Sequence, residues 1–433
     1  MSGVADAAAS APIGETTIAR NDAVRVGIAS LISAGTGYVI LAFAARVLVP
    51  VENYTVFVVF WSTLFACFGV LTGLSIETTR AVTATSSAPA SEQSDRHPRV
   101  ITVGLAVGVF AGAVLAASSP LWASRLFATD SSRLGVLVCL GVAAFAGHSA
   151  VVGSLAGRRS WAMYARLIGT DATVRLGLVL ASALVGTTLV GVAAGAALAT
   201  FTWTVFLAAS PTARRAVMTR ADSSLPTFLR RVAAACVSTG ASAVLVVGFP
   251  VLLSFTTPTA QYARAAPVLL AIALTRAPLL IPLNAYQGVA VSHFAVHRDR
   301  GLRALWPAAR AVLALGLLSS ALASWIGPWV MVTLFGPAYR VSGRVLGGLT
   351  VAATLLALLT LTGVLCQALK LYKRFVSGWV CAVVVAVLVL LVPFDLATRA
   401  VLALSIGPVA GIVLHLTALR RAEVVASRDA RVG

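Results

Sequence analysis

Twelve stretches of about 20 apolar residues, separated by short polar or basic connections, constrain this chain more than any other feature. They run roughly over 25–45, 54–76, 100–123, 134–156, 161–185, 187–209, 232–255, 265–291, 309–334, 343–366, 375–394 and 400–419. A helix rising about 1.5 Å per residue crosses a hydrocarbon core of about 30 Å with a stretch of this length. Only Gly186, Thr187 and Thr188 separate the fifth stretch from the sixth, so a tight turn is expected there. Composition agrees: 59% of residues are hydrophobic and 11% charged, against about 25% charged in soluble domains. This excludes a soluble enzyme, a disordered chain, a coiled coil and a disulfide scaffold. It also leaves too few polar residues for a catalytic domain outside the membrane. The predicted fold class is an all-α polytopic membrane protein with about 12 transmembrane helices in two six-helix halves around a central cavity.

Lys and Arg set the expected orientation. With the N-terminus inside, 22 of the 33 fall on the cytoplasmic side, 7 on outer loops and 4 within spans. Both termini are then cytoplasmic and the protein is multi-pass in the plasma membrane. The net charge of +19 is read as contact with anionic headgroups and not with nucleic acid. The expected parts are an irregular cytosolic tail over 1–24, a six-helix half over 25–209, a basic cytosolic linker over 210–231, a second six-helix half over 232–419 and a cytosolic tail over 420–433. The five cysteines lie inside apolar runs without Cys-x-x-Cys spacing and read as small core residues.

The two halves align at an offset of 208: Tyr54 with Tyr262, Pro120 with Pro328, Leu126-Phe127 with Leu334-Phe335. At a slightly larger offset Gly153-Ser154-Leu155 matches Gly363-Val364-Leu365. Six helices per unit keep both copies in one orientation, which makes this a parallel repeat about the membrane normal.

A charge near the bilayer centre costs about 2.5–3.5 kcal/mol on insertion scales, so such residues face a wet cavity or a partner. Arg276 lies mid-span with no carboxylate on its helix and is the first candidate for substrate binding. The bland alternative is a hydrogen bond to backbone freed by Pro278 or Pro282. Arg166, Asp171 and Arg175 share the fifth span, and the four-residue spacing of Asp171 and Arg175 allows a pair. Glu77 and Arg80, three apart, read as an interfacial ion pair or as a gate. Arg46 is expected to snorkel to headgroups near Glu52. The deep residues Arg166, Arg175 and Arg276 against Asp171 leave a cationic cavity, and arginine offers a fork to phosphate oxygens.

Gly104, Gly108 and Gly112 form a G-x-x-x-G-x-x-x-G stripe that reads as close helix packing. His148 reads as a lone hydrogen-bonded residue. His293 and His297 are four apart but lack a third ligand, so no metal is expected. No Walker A pattern occurs, and no cofactor is expected. Pro267, Pro278 and Pro282 are expected to break or kink the eighth span, and Gly35 and Gly37 to soften the first.

Several segments carry a family resemblance: Ala44-Ala45-Arg46-Val47-Leu48 followed by Tyr54 and Phe57, Glu77-Thr78-Thr79-Arg80, Leu274-Thr275-Arg276-Ala277-Pro278, and Leu334-Phe335-Gly336-Pro337-Ala338-Tyr339. With the twelve spans and the basic central loop, the chain resembles the polysaccharide (O-antigen type) flippases of the multidrug/oligosaccharidyl-lipid/polysaccharide exporter superfamily. The resemblance implies a carrier, not an enzyme, that moves a polyprenyl-diphosphate-linked oligosaccharide between leaflets for surface polysaccharide biosynthesis. It implies substrate binding by Arg276, Arg175, Arg166 and Arg80, with Asp171 and Glu77 in coupling or gating. Its partners would be the lipid-linked anionic glycan, membrane lipids, and polysaccharide polymerase or export proteins. The alternatives are a cation-coupled multidrug or metabolite exporter on the same fold, a membrane-embedded glycosyl- or acyltransferase, and a scaffold subunit of an export complex.

Overall fold

The computed structural model describes residues 20–87, 97–186, 188–296 and 302–432. The chain enters at α1 (Arg20–Val47) and continues through α2 (Val51–Ser87), α3 (Val100–Leu126), α4 (Ser131–Gly157) and α5 (Trp161–Val185). The sixth crossing is divided: α6 (Leu189–Leu198) and α7 (Thr202–Ala209) meet at a 3₁₀ turn over Ala199–Phe201. A short α8 (Pro211–Val217) follows. The second half comprises α9 (Leu225–Val246), α10 (Phe249–Phe255), α11 (Thr259–Tyr262), α12 (Ala266–Val296), α13 (Leu302–Trp325), α14 (Gly327–Phe335), α15 (Gly343–Ala368), α16 (Tyr372–Leu390) and α17 (Leu396–Val432).

Among the described residues, eleven helices are long and apolar enough to cross a membrane, with α6 and α7 counted as one. The twelfth crossing is α12, 31 residues long, whose apolar part is assigned over Ala266–Leu280. The even number brings the start of α1 and the end of α17 to one face, here called the basic face, which also carries α8. No strand occurs among the described residues; one isolated bridge pairs Arg99 with Arg220.

Three boundaries differ from those read in the sequence. The helix of α1 begins at Arg20, inside the tail expected over 1–24; residues 1–19 lie outside the described residues. The linker over 210–231 contains α8, where Ser210 accepts from the Ala213 N–H, and the first turns of α9. Pro226 in that first turn suits the helix start, since no intrahelical partner awaits its missing N–H. The tail expected over 420–433 continues α17 through Val432. A count of apolar windows misses all of these because helix and bilayer need not end together. The prolines do not interrupt α12, which is continuous from Ala266 through Pro278 to Val296.

The repeat has a structural counterpart. Leu126 ends α3 and Phe127 caps it, while Leu334 and Phe335 end α14. Pro120 sits inside the continuous α3, whereas the equivalent Pro328 opens α14 after the break that ends α13. Glycine decides two packing faces. The stripe Gly104, Gly108, Gly112 lies on α4: a Cβ at Gly104 would come within 2.6 Å of Ala150 Cβ, and one at Gly112 within 3.0 Å of Ala143 Cβ. The expected close packing is therefore present.

Between the halves, α2 packs on α9 and α1 on α12. Gly73 sits at the tightest point of the first contact, where a Cβ would fall 2.5 Å from the Ala235 carbonyl carbon and closer still to Cys236 N. The obstruction is backbone and cannot rotate away. Gly73→Leu is expected to lower stability by about 1–3 kcal/mol or more, read as a clear fall in Tm of the purified protein in detergent. An unchanged Tm would mean that α2 and α9 are not held this closely.

Candidate functional site

At the face opposite the basic one, the two halves are joined by side chains reaching carbonyl oxygens. Tyr339 Oη donates to Ala45 O at 2.9 Å, Arg46 Nη1 to Leu334 O at 3.0 Å, and Thr55 Oγ1 to Ala263 O at 3.2 Å. The buried rings of Tyr54 and Tyr339 meet edge to face, 5.8 Å between centroids. Arg46 thus binds across the halves, where the sequence suggested only a headgroup contact. Arg399, which the sequence placed in an outer loop, is 6% exposed and donates to Thr256 O, Leu390 O and Thr257 Oγ1. It ties the ends of α10 and α16 to the start of α17.

Below this closure lies a cavity of about 490 Å³ between the halves. Helix α1 contributes Ser30, Ser33 and Tyr38, α2 contributes Trp61 and Phe65, and α12 contributes Arg276. Arg276 is 6% exposed. Its Nη1 donates to Val246 O at 2.9 Å, a carbonyl at the end of α9, and its Cζ lies 5.9 Å from the Phe249 ring centroid. The backbone it meets is therefore the terminus of α9, not the carbonyls freed by Pro278 or Pro282. Its Nη2 is buried with no hydrogen-bond partner among the described residues. Among the described residues no carboxylate lines this cavity. A buried guanidinium with a spare N–H and no counter-charge is suited to an anionic ligand.

A second lobe of about 320 Å³ lies within the first half and shares Ser33, Gly37, Trp61, Phe65 and Ile168 with the first. It holds the pair anticipated from i,i+4 spacing: Arg175 Nη2 donates to Asp171 Oδ2 at 2.7 Å. Arg175 lies over Phe65, its Cζ 4.9 Å from the ring centroid. His148, 5% exposed, stacks on Phe145 at 5.3 Å. The sequence suggested a hydrogen-bonded histidine. Its Nδ1 has no partner among the described residues, and neither has Asp171 Oδ1.

The remaining candidates lie elsewhere. Arg166 is exposed in a separate groove between α1 and α5 beside Arg25, which corrects the grouping of Arg166 with Arg175 and Arg276. Arg80, at the basic-face end of α2, is held by two carboxylates: Glu77 Oε1 lies 2.6 Å from its Nη2 and Asp222 Oδ2 2.8 Å from its Nη1. Arg231 adds a contact of 3.4 Å to Asp222. This cluster fastens α2 to the linker between the halves. The linker is itself pinned to α3 by Val100 N–H donating to Thr219 O at 3.1 Å and Ala221 N–H donating to Pro98 O at 2.9 Å. Asp222, 142 residues from Arg80, could not be paired with it by local spacing. His293 and His297 fall outside the residues whose side chains are described. Among the described residues no group of three or more His, Cys, Asp or Glu is placed to hold a metal ion.

Burial alone would raise the pKa of Asp222, but the hydrogen bond and charge of Arg80, with the charge of Arg231, hold it below the usual carboxylate value. A depressed folded-state pKa gives a contribution that is present above the unfolded value and lost as pH falls through the folded one. The latch is therefore closed at neutral pH and opens only in strong acid. Asp222→Asn is expected to open it at neutral pH, raising the proteolysis rate within 210–231 several-fold. A cleavage rate equal to that of the parent would dismiss the latch.

No protein-family profile matches the chain. Solved structures place its fold. It is similar to a multidrug resistance MATE family transporter of the MOP superfamily in an inward-facing conformation (TM-score 0.71, 13% identity, covering 93% of this chain and 98% of that one). The outward-facing conformation of a transporter so described gives a TM-score of 0.66 at 15% identity, covering 94% and 96%. A MOP superfamily transporter from Pyrococcus furiosus, described as having a binding pocket of reverse polarity that suggests a different function, gives 0.67 at 14% identity, covering 92% and 95%. The chain is thus a multi-pass membrane protein with the fold that these transporters share. Among sequence relatives, it is 40% identical over 414 residues to the uncharacterized protein Rv1510 of Mycobacterium tuberculosis, covering 96% of this chain and 94% of that protein. It is 39% identical over 407 residues to the uncharacterized protein Mb3654 of Mycobacterium bovis, covering 94% of each. The chain belongs to the family of these mycobacterial proteins.

Proposed function

We propose that the protein is an alternating-access flippase that carries a polyprenyl-diphosphate-linked oligosaccharide across the plasma membrane for surface polysaccharide biosynthesis. One observation carries this reading: the buried Arg276, whose Nη2 has no partner among the described residues, in a cavity between the halves that no described carboxylate lines. Arg276 binds the diphosphate, and Arg175, held by Asp171, lines the adjoining lobe. The basic face is cytoplasmic, so the closure around Tyr339 and Arg46 seals the outer side. Arg80, Glu77 and Asp222 form the gate between α2 and the linker. The fold shared with MATE-type proteins supports a transporter, and the polyprenyl substrate rests on the cavity's charge together with the flippase-like segments.

A strain lacking the gene tests this directly. Lipid-linked oligosaccharide accumulating in the inner leaflet while surface glycan falls is the expected result; unchanged leaflet distribution and surface glycan would refute the flippase reading. The free Asp171 Oδ1 favours one other reading, a cation-coupled exporter on the same fold. That reading requires the deletion strain to lose efflux of cationic dyes, which the flippase reading does not.

A further inference from the structure

The lobe within the first half holds a ligand-ready set of groups that the diphosphate reading leaves unused. Asp171 Oδ1 and His148 Nδ1 are buried without partners among the described residues. Leaving such atoms unmet costs free energy, so water or a ligand in the lobe completes them. Their other contacts are already fixed: Asp171 Oδ2 takes Arg175, and the His148 ring stacks on Phe145. With Arg175 neutralised by Asp171, the lobe has no spare cation for a second phosphate. Its hydroxyls are acceptors as well: Thr36 Oγ1 donates to Ser33 O at 3.0 Å and Thr72 Oγ1 to Phe68 O at 3.0 Å, which leaves the lone pairs of both oxygens available. Aromatic walls supplied by Phe65, Phe68 and Phe145 complete the lining. A space of about 320 Å³ is at the lower end of the ~300–1,000 Å³ common for small-ligand sites.

A group that is rich in hydrogen-bond donors, uncharged, compact and apolar on its flat faces fits this description, and a sugar ring is such a group. The geometry points to a saccharide subsite here, in which Asp171 Oδ1 and the His148 ring nitrogen meet hydroxyl or amide N–H groups of the sugar nearest the diphosphate. The shared lining at Ser33, Gly37, Trp61, Phe65 and Ile168 sets this lobe directly beside the one holding Arg276. One ligand can then place its diphosphate at Arg276 and its first sugar at Asp171 and His148. This inference rests on the flippase reading and adds to it a part of the site that recognises the glycan.

The full chain, reconstituted in lipid nanodiscs, tests it with three kinds of probe. These are undecaprenyl diphosphate alone, the same lipid carrying a single N-acetylglucosamine, galactose or rhamnose, and the tightest of these with its hydroxyls O-methylated. The best sugar-bearing probe is expected to bind about tenfold more tightly than bare undecaprenyl diphosphate, and O-methylation to abolish the gain. His148→Phe, which keeps a flat ring against Phe145 and removes the nitrogens, is expected to erase the preference without changing affinity for the bare lipid. The methylated probe needs no variant, so the test survives misfolding of His148→Phe. If the bare lipid binds through Arg276 but no sugar improves it, or if the methylated probe binds equally well, the saccharide subsite is wrong and the flippase reading stands. If the bare lipid does not bind at all, both fall.

Discussion

Arg276→Gln is expected to abolish transport while leaving the protein inserted and folded. Glutamine keeps a polar N–H-bearing side chain at this position, but it is shorter and neutral, so the cavity loses the guanidinium that reaches Val246 O. A hydrogen bond to a charged group contributes about 1.5–3 kcal/mol. At 1.4 kcal/mol per decade, affinity for a polyprenyl diphosphate should fall about 10- to 100-fold. Arg276→Lys is expected to fall between the two, because an ammonium supplies the charge without the planar fork. The check is complementation of a deletion strain beside a measure of membrane insertion. Full complementation by the glutamine variant would remove Arg276 from the site.

The second large effect is expected at Asp171. Its pair with Arg175 is buried on both sides, with side chains 14% and 7% exposed. Asp171→Ala leaves the guanidinium uncompensated, and breaking a buried pair from one side costs about 3–5 kcal/mol. The double variant Asp171→Ala/Arg175→Leu removes both charges and should regain most of that loss, since apolar replacement of a buried pair is often neutral. Thermal unfolding in detergent separates the cases: a steep fall in Tm for the single variant and near recovery for the double. Equal Tm values for both would mean that Arg175 is not held by Asp171. If the double variant is stable but inactive, the pair acts in transport as well as in folding.

The sequence made some of this legible for simple reasons. Helices that must satisfy their backbone in lipid have to be long and apolar, and the spans from α2 to α5 stand out accordingly. The Asp171–Arg175 pair follows from helical spacing, and the depth of Arg276 from its position between apolar turns. Helical geometry also shows why Arg166 does not join them. At about 100° per residue, the nine residues from Arg166 to Arg175 turn the helix by about two and a half turns, so the two side chains leave opposite faces. Counting charges on one helix without following its rotation hid this. The Glu77–Arg80 pair also follows from helical spacing, but the second partner of Arg80 and the partners of Arg46 and Arg399 were not legible, because Asp222, Leu334 and Thr256 meet them only after the chain folds. Helix continuation past Leu419 was missed because an apolar window marks where the bilayer ends and not where the helix does.

The central claim is that this protein moves a lipid-linked glycan between leaflets through the cavity that Arg276 occupies. Purified protein in sealed vesicles, supplied with a fluorescent polyprenyl-diphosphate-linked sugar, tests it most directly by the fraction of probe accessible to an impermeant quencher. Exchange of the probe between leaflets is expected for the parent protein, and none above protein-free vesicles for Arg276→Gln. Equal exchange by both proteins, or none by the parent, would contradict it.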